Sequence, residues 1–273
     1  MAKTETGTDD LLAEVADGVG TLTFNRPEAR NAMSGDMMSG LADVLADWAD
    51  DDEIGAVVIT GAGGAFCAGG DVKGFNERGG EGGAGGAVDP RRVDAQRENQ
   101  KATVGRIYSY PKPVIGAIPG AAAGAGLGFA LATDVRVGTP KSVMATAFGG
   151  VGLSGDYGVT WLLNQLVGPA KARQLMFFND RVRGDELLEL GLLNWIVPED
   201  ELQTKAFELA KTLADGPRGC FSRMKANLAE VPVATLEEAM DAEVQRHLEC
   251  GVTADHREAV AAFVEKRKPV FRR

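Results

Sequence analysis

The chain has 273 residues, and its 29 Lys and Arg against 39 Asp and Glu give a formal net charge of −10. Hydrophobic residues make up 44% and charged residues 25%, which are ordinary proportions for a globular protein and exclude a disordered or fibrous chain. This size suits one large domain, or one domain with a small appendage. Because a net negative charge repels phosphate backbones and anionic membrane surfaces, we expect no nucleic acid and no membrane as partner.

The amino-terminal residues and the cysteines both favour a cytoplasmic protein. The sequence MAKTETGTDD lacks the apolar core of a secretory signal. Cys67, Cys220 and Cys250 lie far apart without CxxC spacing, so we predict reduced thiols and no metal site. Residues 113–133 carry no charge and approach the length of a membrane span, but their many glycines and alanines favour a buried strand, turn and helix.

The first half of the chain alternates between strand and helix patterns. Residues 11–24 predict a hairpin that turns at Asp17-Gly18. Apolar residues from Met37 to Trp48 follow helical spacing, and a strand follows at 54–60. The same order then recurs, with a strand at 113–118, a helix around 124–132, and strands near 134–138 and 142–147. This alternation indicates an α/β core with parallel pairing.

The second half is mostly helical after residue 157. Helical patterns cover 161–167, 199–215, 217–230, 235–249 and 253–266. We therefore predict a core over 11–200 and a helical carboxyl-terminal region over 201–273. The glycine-rich stretch 79–88, within the predicted core, fits either a solvated surface loop or an active-site lid.

Several common catalytic signatures are missing from the sequence. The GxGxxG dinucleotide motif fails at both candidate strand-to-helix turns, because Phe66 and Phe129 stand where its last glycine is needed. There is also no Walker lysine motif and no nucleophile elbow, so dehydrogenase, kinase and serine hydrolase chemistry are not indicated. The two histidines, His247 and His256, lack metal-ligand spacing and are predicted to have surface or capping roles.

Two glycine-rich turns remain as candidates for chemistry. Residues 65–71 follow the strand that ends at Thr60, and residues 120–128 follow the strand that ends at Ile118. Small side chains let a substrate approach the backbone, and two converging turns would aim N–H groups at one developing oxyanion. The alternative is that these glycines only permit tight helix packing.

The order of motifs in the chain resembles that of the crotonase (enoyl-CoA hydratase/isomerase) superfamily. The motifs are FNRPEARNA at 24–32, FCAGGD at 66–71, KPVIGA at 112–117 with the Asp134 that follows, and FVEKR at 263–267. The resemblance implies a crotonase-like α/β spiral of repeated ββα units with a helical carboxyl-terminal trimerisation region. It also implies a homotrimer or a dimer of trimers that binds acyl-CoA thioesters, with no cofactor beyond the coenzyme A of the substrate.

The resemblance also assigns a set of binding residues. The N–H groups of Ala68 and Ala125 match the family's oxyanion donors, and Phe263 and Lys266 match positions that reach a neighbouring coenzyme A site. Lys266-Arg267-Lys268 fits either a phosphate clamp or a solvated basic tail. The substrate-binding residues implied are Ala29, Arg30, Ala32, Ala65, Phe66, Ala68, Gly69, Gly70, Asp71, Val72, Ala125, Phe263 and Lys266.

The residues at the expected catalytic positions favour isomerisation. Family hydratases use two glutamates, and this chain has Gly128 and Phe148 at the matching positions. Asp156 matches an aspartate of ring-epoxide isomerases, some enoyl-CoA isomerases and aroyl-CoA dehalogenases. A single carboxylate suffices for a 1,3-proton shift through an enolate, so the resemblance implies Asp156 as the catalytic base.

Other interpretations of these residues stay open at this point. Asp156 could merely cap the next helix. Asp71 and Asp134 are predicted to be structural, whereas Tyr157 and Trp161 fit either the acyl pocket or the core. The alternatives to an isomerase are an enoyl-CoA hydratase of fatty-acid β-oxidation and a catalytically weak acyl-CoA-binding protein.

Overall fold

The computed structural model describes residues 2–77, 79–82 and 87–271. The strands are β1 (Ala2–Thr4), β2 (Leu11–Ala16), β3 (Val19–Phe24), β4 (Ala56–Gly61), β5 (Val114–Ile118), β6 (Ala121–Ala123), β7 (Val135–Gly138), β8 (Val143–Ala145), β9 (Val182–Arg183) and β10 (Trp195–Ile196). The helices are α1 (Gly35–Asp50), α2 (Val72–Glu77), α3 (Pro90–Gln100), α4 (Arg106–Tyr108), α5 (Ala125–Leu131), α6 (Val159–Phe178), α7 (Asp185–Glu189), α8 (Leu202–Ala214), α9 (Arg218–Glu230), α10 (Leu236–Gly251) and α11 (Ala254–Glu265).

The main sheet confirms the predicted α/β class. Within the described residues it has seven strands in the order β1-β2-β3-β4-β5-β7-β10, antiparallel over β1 to β3 and parallel from there on. The predicted hairpin joins β2 to β3, and its turn residues Asp17 and Gly18 both have positive φ, at 50° and 81°. Two positive φ values match the twist that a two-residue hairpin needs.

Both faces of the parallel part of the sheet are buried. Successive residues of β4 alternate between two hydrophobic clusters, with Val57 and Ile59 in one and Ala56 and Val58 in the other. Helix α1 covers the first face through the apolar stripe predicted from its sequence. Helix α8 covers the second face, although its residues fall in the predicted carboxyl-terminal region. Parallel strands are normally covered on both sides, which explains why α8 packs on the core.

A smaller sheet and a repeated unit extend the spiral. Strands β6, β8 and β9 form this sheet within the described part of the chain. Gly124 and Gly184 precede α5 and α7 with nearly the same backbone angles, φ 54° and ψ −131° against φ 52° and ψ −133°. Each helix is followed by a strand of the main sheet, β7 or β10. The recurring strand, helix, strand order predicted from the sequence is thus present in the fold.

The last helices lie outside the sheet layers and are amphipathic. Contacts join α9 to α10 and α10 to α11, and few of their side chains are buried. No helix among the described residues is both long and apolar enough to span a membrane. Helix α6 is longer than predicted because it continues past a break at Gly168-Pro169. Of the glycine-rich stretch 79–88, residues 83–86 lie outside the described residues.

Candidate active site

A cavity of about 730 Å³ lies where the two glycine-rich turns meet α3 and the segment before α6. The predicted residues Ala68, Gly70, Asp71, Val72, Ala125 and Asp156 line it. The remaining lining residues are Arg26, Met33, Ser34, Gly35, Met38, Phe75, Glu81, Arg92, Ala95, Gln96, Asn99, Gly124, Ala147, Phe148, Val151, Leu153, Ser154, Gly155 and Tyr157.

The two glycine-rich turns converge, as the oxyanion interpretation requires. The Cys67 N–H donates to the Ala121 carbonyl at 3.0 Å, and the Ala123 N–H donates back to the Cys67 carbonyl at 3.0 Å. Gly69 has φ +87°, and a methyl group built on it would lie 2.6 Å from the Ala123 oxygen and 3.1 Å from the Ala125 nitrogen. Glycine at 69 therefore permits both the backbone turn and its close approach to the start of α5.

The structure corrects one of the two predicted oxyanion donors. The Ala68 N–H donates to the Arg30 carbonyl at 3.0 Å, so this hydrogen is already engaged within the protein. Gly70 lines the cavity, and its N–H has no backbone acceptor among the described residues. Ala125 is the first residue of α5, where an N–H lacks an acceptor within its own helix. Gly70 and Ala125 are therefore the available pair of donors.

The predicted coenzyme A segment lies directly against the first turn. The Asn31 side-chain amide donates to the Ala62 and Ala65 carbonyls at 2.9 and 2.8 Å, and its oxygen accepts the Arg26 N–H at 2.9 Å. The Met33 N–H donates to the Gly69 carbonyl at 2.8 Å. Residues 29–32 and 65–69 thus form one surface beside the cavity. Sequence analysis did not assign Asn31, which holds this surface together while fully buried.

Asp156 is held by three N–H donors at the cavity wall. Its Oδ1 accepts the Tyr157 N–H at 2.8 Å and an Nε2–H of Gln100, and its Oδ2 accepts an Nε2–H of Gln96 at 2.9 Å. Burial raises the pKa of Asp156, against the lowering effects of the Tyr157 N–H and Gln96. Helix α6 begins after Gly158 without a side-chain cap, so the interpretation of Asp156 as a helix cap is wrong.

Helix α3 supplies polar residues that sequence analysis missed. Gln96, Asn99 and Gln100 are three and four residues apart and therefore share one face. Asn99 accepts the Tyr157 hydroxyl at 2.7 Å, and Tyr157 is buried with a positive φ of 45°. A helical face of amides instead of apolar residues is the signal that could have identified them. Helix α3 also leads into a π-helical turn at Lys101–Gly105, a geometry that often occurs at functional sites.

The positions that match the family's two glutamates cannot transfer a proton here. A methyl group built on Gly128 would lie 2.4 Å from the Tyr157 carbonyl oxygen, so no side chain fits at 128 with Tyr157 where it is. Phe148 is buried and lines the cavity, and its side chain has no group that can transfer a proton. The backbone that carries Asp156 and Tyr157 thus occupies the space above Gly128.

Some predicted binding residues lie away from the cavity. Phe66 is fully buried and packs edge-to-face on Phe24 with ring centroids 5.5 Å apart, so its prediction as a lining residue is corrected to a core role. Phe263 and Lys266 lie on and just after α11, and Phe263 is 85% exposed. Arg267 forms ion pairs with Glu258 and Glu265, which neutralise part of the predicted basic cluster.

Asp71 lines the cavity but also has a structural contact, whereas Asp134 and Trp161 do not line the cavity. Asp71 caps the start of α2 by accepting the Gly74 N–H at 3.1 Å, and it also faces Arg26 at 3.9 Å. Asp134 accepts the Val114 N–H at 2.7 Å and pairs with Lys225 at 2.8 Å. Trp161 packs edge-to-face on Tyr108 instead of lining the cavity. Burial raises the pKa of the Cys67 thiol to about 12, so it is not a nucleophile at neutral pH.

Comparison with known proteins identifies the family. The family model described as enoyl-CoA hydratase/isomerase matches residues 14–273. The chain belongs to the enoyl-CoA hydratase/isomerase family. It is 35% identical over 266 residues to the 1,2-epoxyphenylacetyl-CoA isomerase of Escherichia coli, covering 96% of this chain and 97% of that protein.

Other members of the family carry a hydratase name. The chain is 30% identical over 261 residues to the short-chain-enoyl-CoA hydratase of Clostridium acetobutylicum, covering 95% of this chain and 96% of that protein. The crystal structure of an enoyl-CoA hydratase from a Polaromonas species superposes with a TM-score of 0.88 at 30% identity, covering 96% of this chain and 99% of that one. The resemblance to the crotonase superfamily and its fold is confirmed. This protein is thus a family enzyme that acts on acyl-CoA, and the reaction type has to be argued from the site.

Proposed function

We propose that this protein is an acyl-CoA isomerase that converts an enoyl-CoA or a ring acyl-CoA into its isomer by a proton shift through an enolate. The observation that carries the proposal is Asp156, a partly buried carboxylate in the cavity, combined with Gly128 and Phe148 at the positions of the family's two glutamates. Hydration by a glutamate pair needs two groups that handle protons on one water. A 1,3-proton shift needs only one.

The backbone N–H donors polarise the thioester carbonyl and stabilise the enolate oxygen. When the thioester oxygen accepts the N–H groups of Gly70 and Ala125, it can take up the negative charge that develops as a neighbouring C–H bond breaks. Loss of one such donor typically costs about 3 kcal/mol of transition-state stabilisation. Because both donors belong to the backbone, they need no reorganisation during the reaction.

Asp156 supplies the proton-transfer half. In a 3-enoyl thioester the carboxylate removes a proton from the α-carbon next to the thioester carbonyl, the electron pair moves into the dienolate, and the same carboxyl group returns the proton to the γ-carbon. Burial favours the protonated form of Asp156 and so raises its pKa, which makes the carboxylate a stronger base than an exposed aspartate. This proton shift requires no metal or redox cofactor, and coenzyme A enters only as part of the substrate.

The test compares turnover of wild type and Asp156→Asn on a panel of 3-enoyl- and 2-enoyl-CoA substrates. Removing a general base typically lowers the rate about 10²–10⁴-fold, and we expect a loss in that range with substrate binding retained. Full turnover of every isomerisable substrate by Asp156→Asn would overturn the proposal.

Enoyl-CoA hydration is a second candidate, favoured by one feature of the cavity. Glu81 lines the same cavity as Asp156 and would provide a second carboxylate for a bound water. The hydratase name of the Clostridium relative agrees with this alternative. Enzyme-dependent addition of water to crotonyl-CoA that Glu81→Gln abolishes would favour hydration, and isomerisation that Glu81→Gln leaves intact would favour the first proposal.

We further propose that the enzyme assembles as a homotrimer or a dimer of trimers. The exposed apolar side chains of the last helices support this, among them Leu236 at 76%, Leu248 at 63% and Phe263 at 85% exposure. Light scattering should give a mass of three or six protomers. A monodisperse monomer at working concentration would contradict the assembly, and it would also remove the predicted role of Phe263 and Lys266 at a neighbouring coenzyme A site.

A further inference from the structure

Helix α3 places two carboxamides on the two oxygens of Asp156. Gln96 and Gln100 are one helical turn apart, and their side chains reach Asp156 across 60 and 56 residues of sequence. Both glutamines are partly buried, and Gln96 lines the cavity, in a helix whose outward face carries charged residues. Both amides therefore donate to the same carboxylate, unlike polar side chains on a solvated helix surface.

The donors are distributed unequally over the two carboxylate oxygens. Oδ1 receives the Gln100 amide and the Tyr157 N–H, whereas Oδ2 receives the Gln96 amide. An ionised carboxylate offers about two acceptor sites on each oxygen. Oδ1 is thus fully used, and Oδ2 keeps one acceptor site for a proton.

We propose that Gln96 and Gln100 are positioning residues that fix the Asp156 carboxylate and leave Oδ2 as the atom that receives and returns the substrate proton. In this step a C–H bond at the α-carbon of the acyl group breaks, an O–H bond forms at Oδ2, and the electron pair passes into the enolate. The O–H bond then breaks as a new C–H bond forms at the second carbon. The inference rests on the proposed function, because it assigns the atom that acts in the same proton shift.

The charged side chains that line the cavity are not the groups that set the pKa of Asp156. Arg26, Asp71, Glu81 and Arg92 line the cavity with Asp156. The pKa of Asp156 is set instead by its burial, by the Tyr157 N–H and by Gln96. Removing the Gln96 amide should therefore act on Asp156 directly, and a change of pH profile can be attributed to that contact.

The test measures pH profiles of kcat and KM for wild type, Gln96→Met and Gln96→Glu. Methionine keeps the length of the glutamine side chain and removes its N–H donor. We therefore expect the acid limb of the profile, the pH range in which kcat rises as Asp156 ionises, to move up by about one pH unit. Glutamate brings a second carboxylate beside Asp156 and should move the limb further up than methionine does. We expect plateau kcat to fall roughly tenfold, while KM changes by less than about threefold, because the amides orient the base and do not bind coenzyme A.

A matched control removes the same kind of contact elsewhere. Gln174 donates to the Asp180 carboxylate at 2.9 Å on the exposed surface, the same distance as the Gln96 contact. Gln174→Met should leave both the limb and kcat unchanged. Gln100→Met provides a second variant if Gln96→Met does not fold, and it should lower kcat without raising KM.

The outcomes separate this inference from the proposed function. If Asp156→Asn keeps full turnover, the proposed function fails, and the positioning role fails with it. If Asp156→Asn is inactive but Gln96→Met and Gln96→Glu keep the wild-type acid limb, only the positioning role is overturned. Loss of thermal stability or a higher KM with an unchanged limb would likewise show a merely structural helix contact.

Discussion

The two walls of the cavity are built in different ways. The backbone wall, residues 67–70 and 124–125, offers N–H groups whose positions are fixed by β6 and the start of α5. The side-chain wall, residues 96–100 and 153–157, offers Asp156 and the amides around it. In the proposed mechanism, the backbone wall stabilises charge on the thioester oxygen and the side-chain wall moves the proton.

The difference explains how one family can run more than one reaction. Backbone donors depend on the path of the chain, so they are insensitive to most side-chain substitutions. A carboxylate can be moved or lost by exchanging single residues, and Gly128 and Phe148 show such exchanges here. The relatives include proteins named isomerase and hydratase.

The largest effect in the backbone wall should come from Ala125→Pro. Proline is accepted at the first position of a helix but has no N–H, so one oxyanion donor is lost without breaking α5. We expect kcat to fall about 10²–10³-fold, with the acid limb of the pH profile unchanged. Steady-state kinetics with 3-enoyl-CoA substrates would measure both.

A control for that variant exists in the repeated unit. Asp185 begins α7 after Gly184, whose backbone angles nearly equal those of Gly124. Asp185→Pro should therefore be tolerated and leave kcat unchanged. A folded Ala125→Pro variant with wild-type kcat would remove Ala125 from the oxyanion site.

The fold also depends on a partly buried ion pair between α9 and the residue before β7. Lys225 donates to the Asp134 carboxylate at 2.8 Å, and burial lowers the pKa of Lys225 and raises that of Asp134. The Lys225 side chain is 9% exposed and that of Asp134 is 33% exposed, so Lys225→Met should lower the free energy of unfolding by about 2 kcal/mol. Urea unfolding measures this loss.

The surface pair Lys141–Glu199 serves as the comparison. It has the same 2.8 Å separation, but its side chains are 71% and 52% exposed. Lys141→Met should cost less than about 1 kcal/mol, because solvent screens such pairs. Equal losses for the two lysines would contradict the structural role assigned to Asp134.

The side-chain wall should give the enzyme a pH dependence of its own. Asp156 acts as a base only when ionised, and its burial raises its pKa above the ordinary 3.8. Activity should therefore rise with pH through that raised pKa, falling about tenfold for each unit below it. An acid limb at or below the ordinary aspartate pKa in the kcat profile would be inconsistent with this account.

The smallest effect expected in the side-chain wall is that of Tyr157→Phe. This change removes the hydroxyl that donates to Asn99 at 2.7 Å and leaves the carboxylate donors of Asp156 in place. We expect a loss of about 1 kcal/mol in the free energy of unfolding and a change in kcat of less than about fivefold. Thermal unfolding and kinetics together check it, and an inactive but stable variant would give the hydroxyl a direct chemical role.

The sequence predicted the elements whose signals are local. The hairpin at Asp17-Gly18, the apolar stripe of α1 and the two glycine-rich turns all follow from short-range patterns, and the structure confirms them. The motif order added the family and directed attention to Asp156. These features could be predicted because each depends on residues that are close together in the chain.

The missed features depend on contacts between distant segments. The choice of Gly70 over Ala68 as donor follows from the Arg30 carbonyl, 38 residues before Ala68, which engages the Ala68 N–H. The amides of Gln96 and Gln100 reach Asp156 only because α3 packs against the segment before α6. Phe66 was assigned to the site because it lies within a binding motif, whereas its side chain points into the core beside Phe24.

The most direct test of the central claim is mass spectrometry of the products formed from 3-enoyl-CoA and 2-enoyl-CoA in heavy water, with wild type and Asp156→Asn. Our account predicts that wild type moves the double bond or exchanges substrate hydrogen for deuterium, and that both activities disappear in Asp156→Asn. A wild-type product heavier by one molecule of D₂O, or an Asp156→Asn variant that isomerises at the wild-type rate, would contradict the claim that Asp156 alone carries the proton.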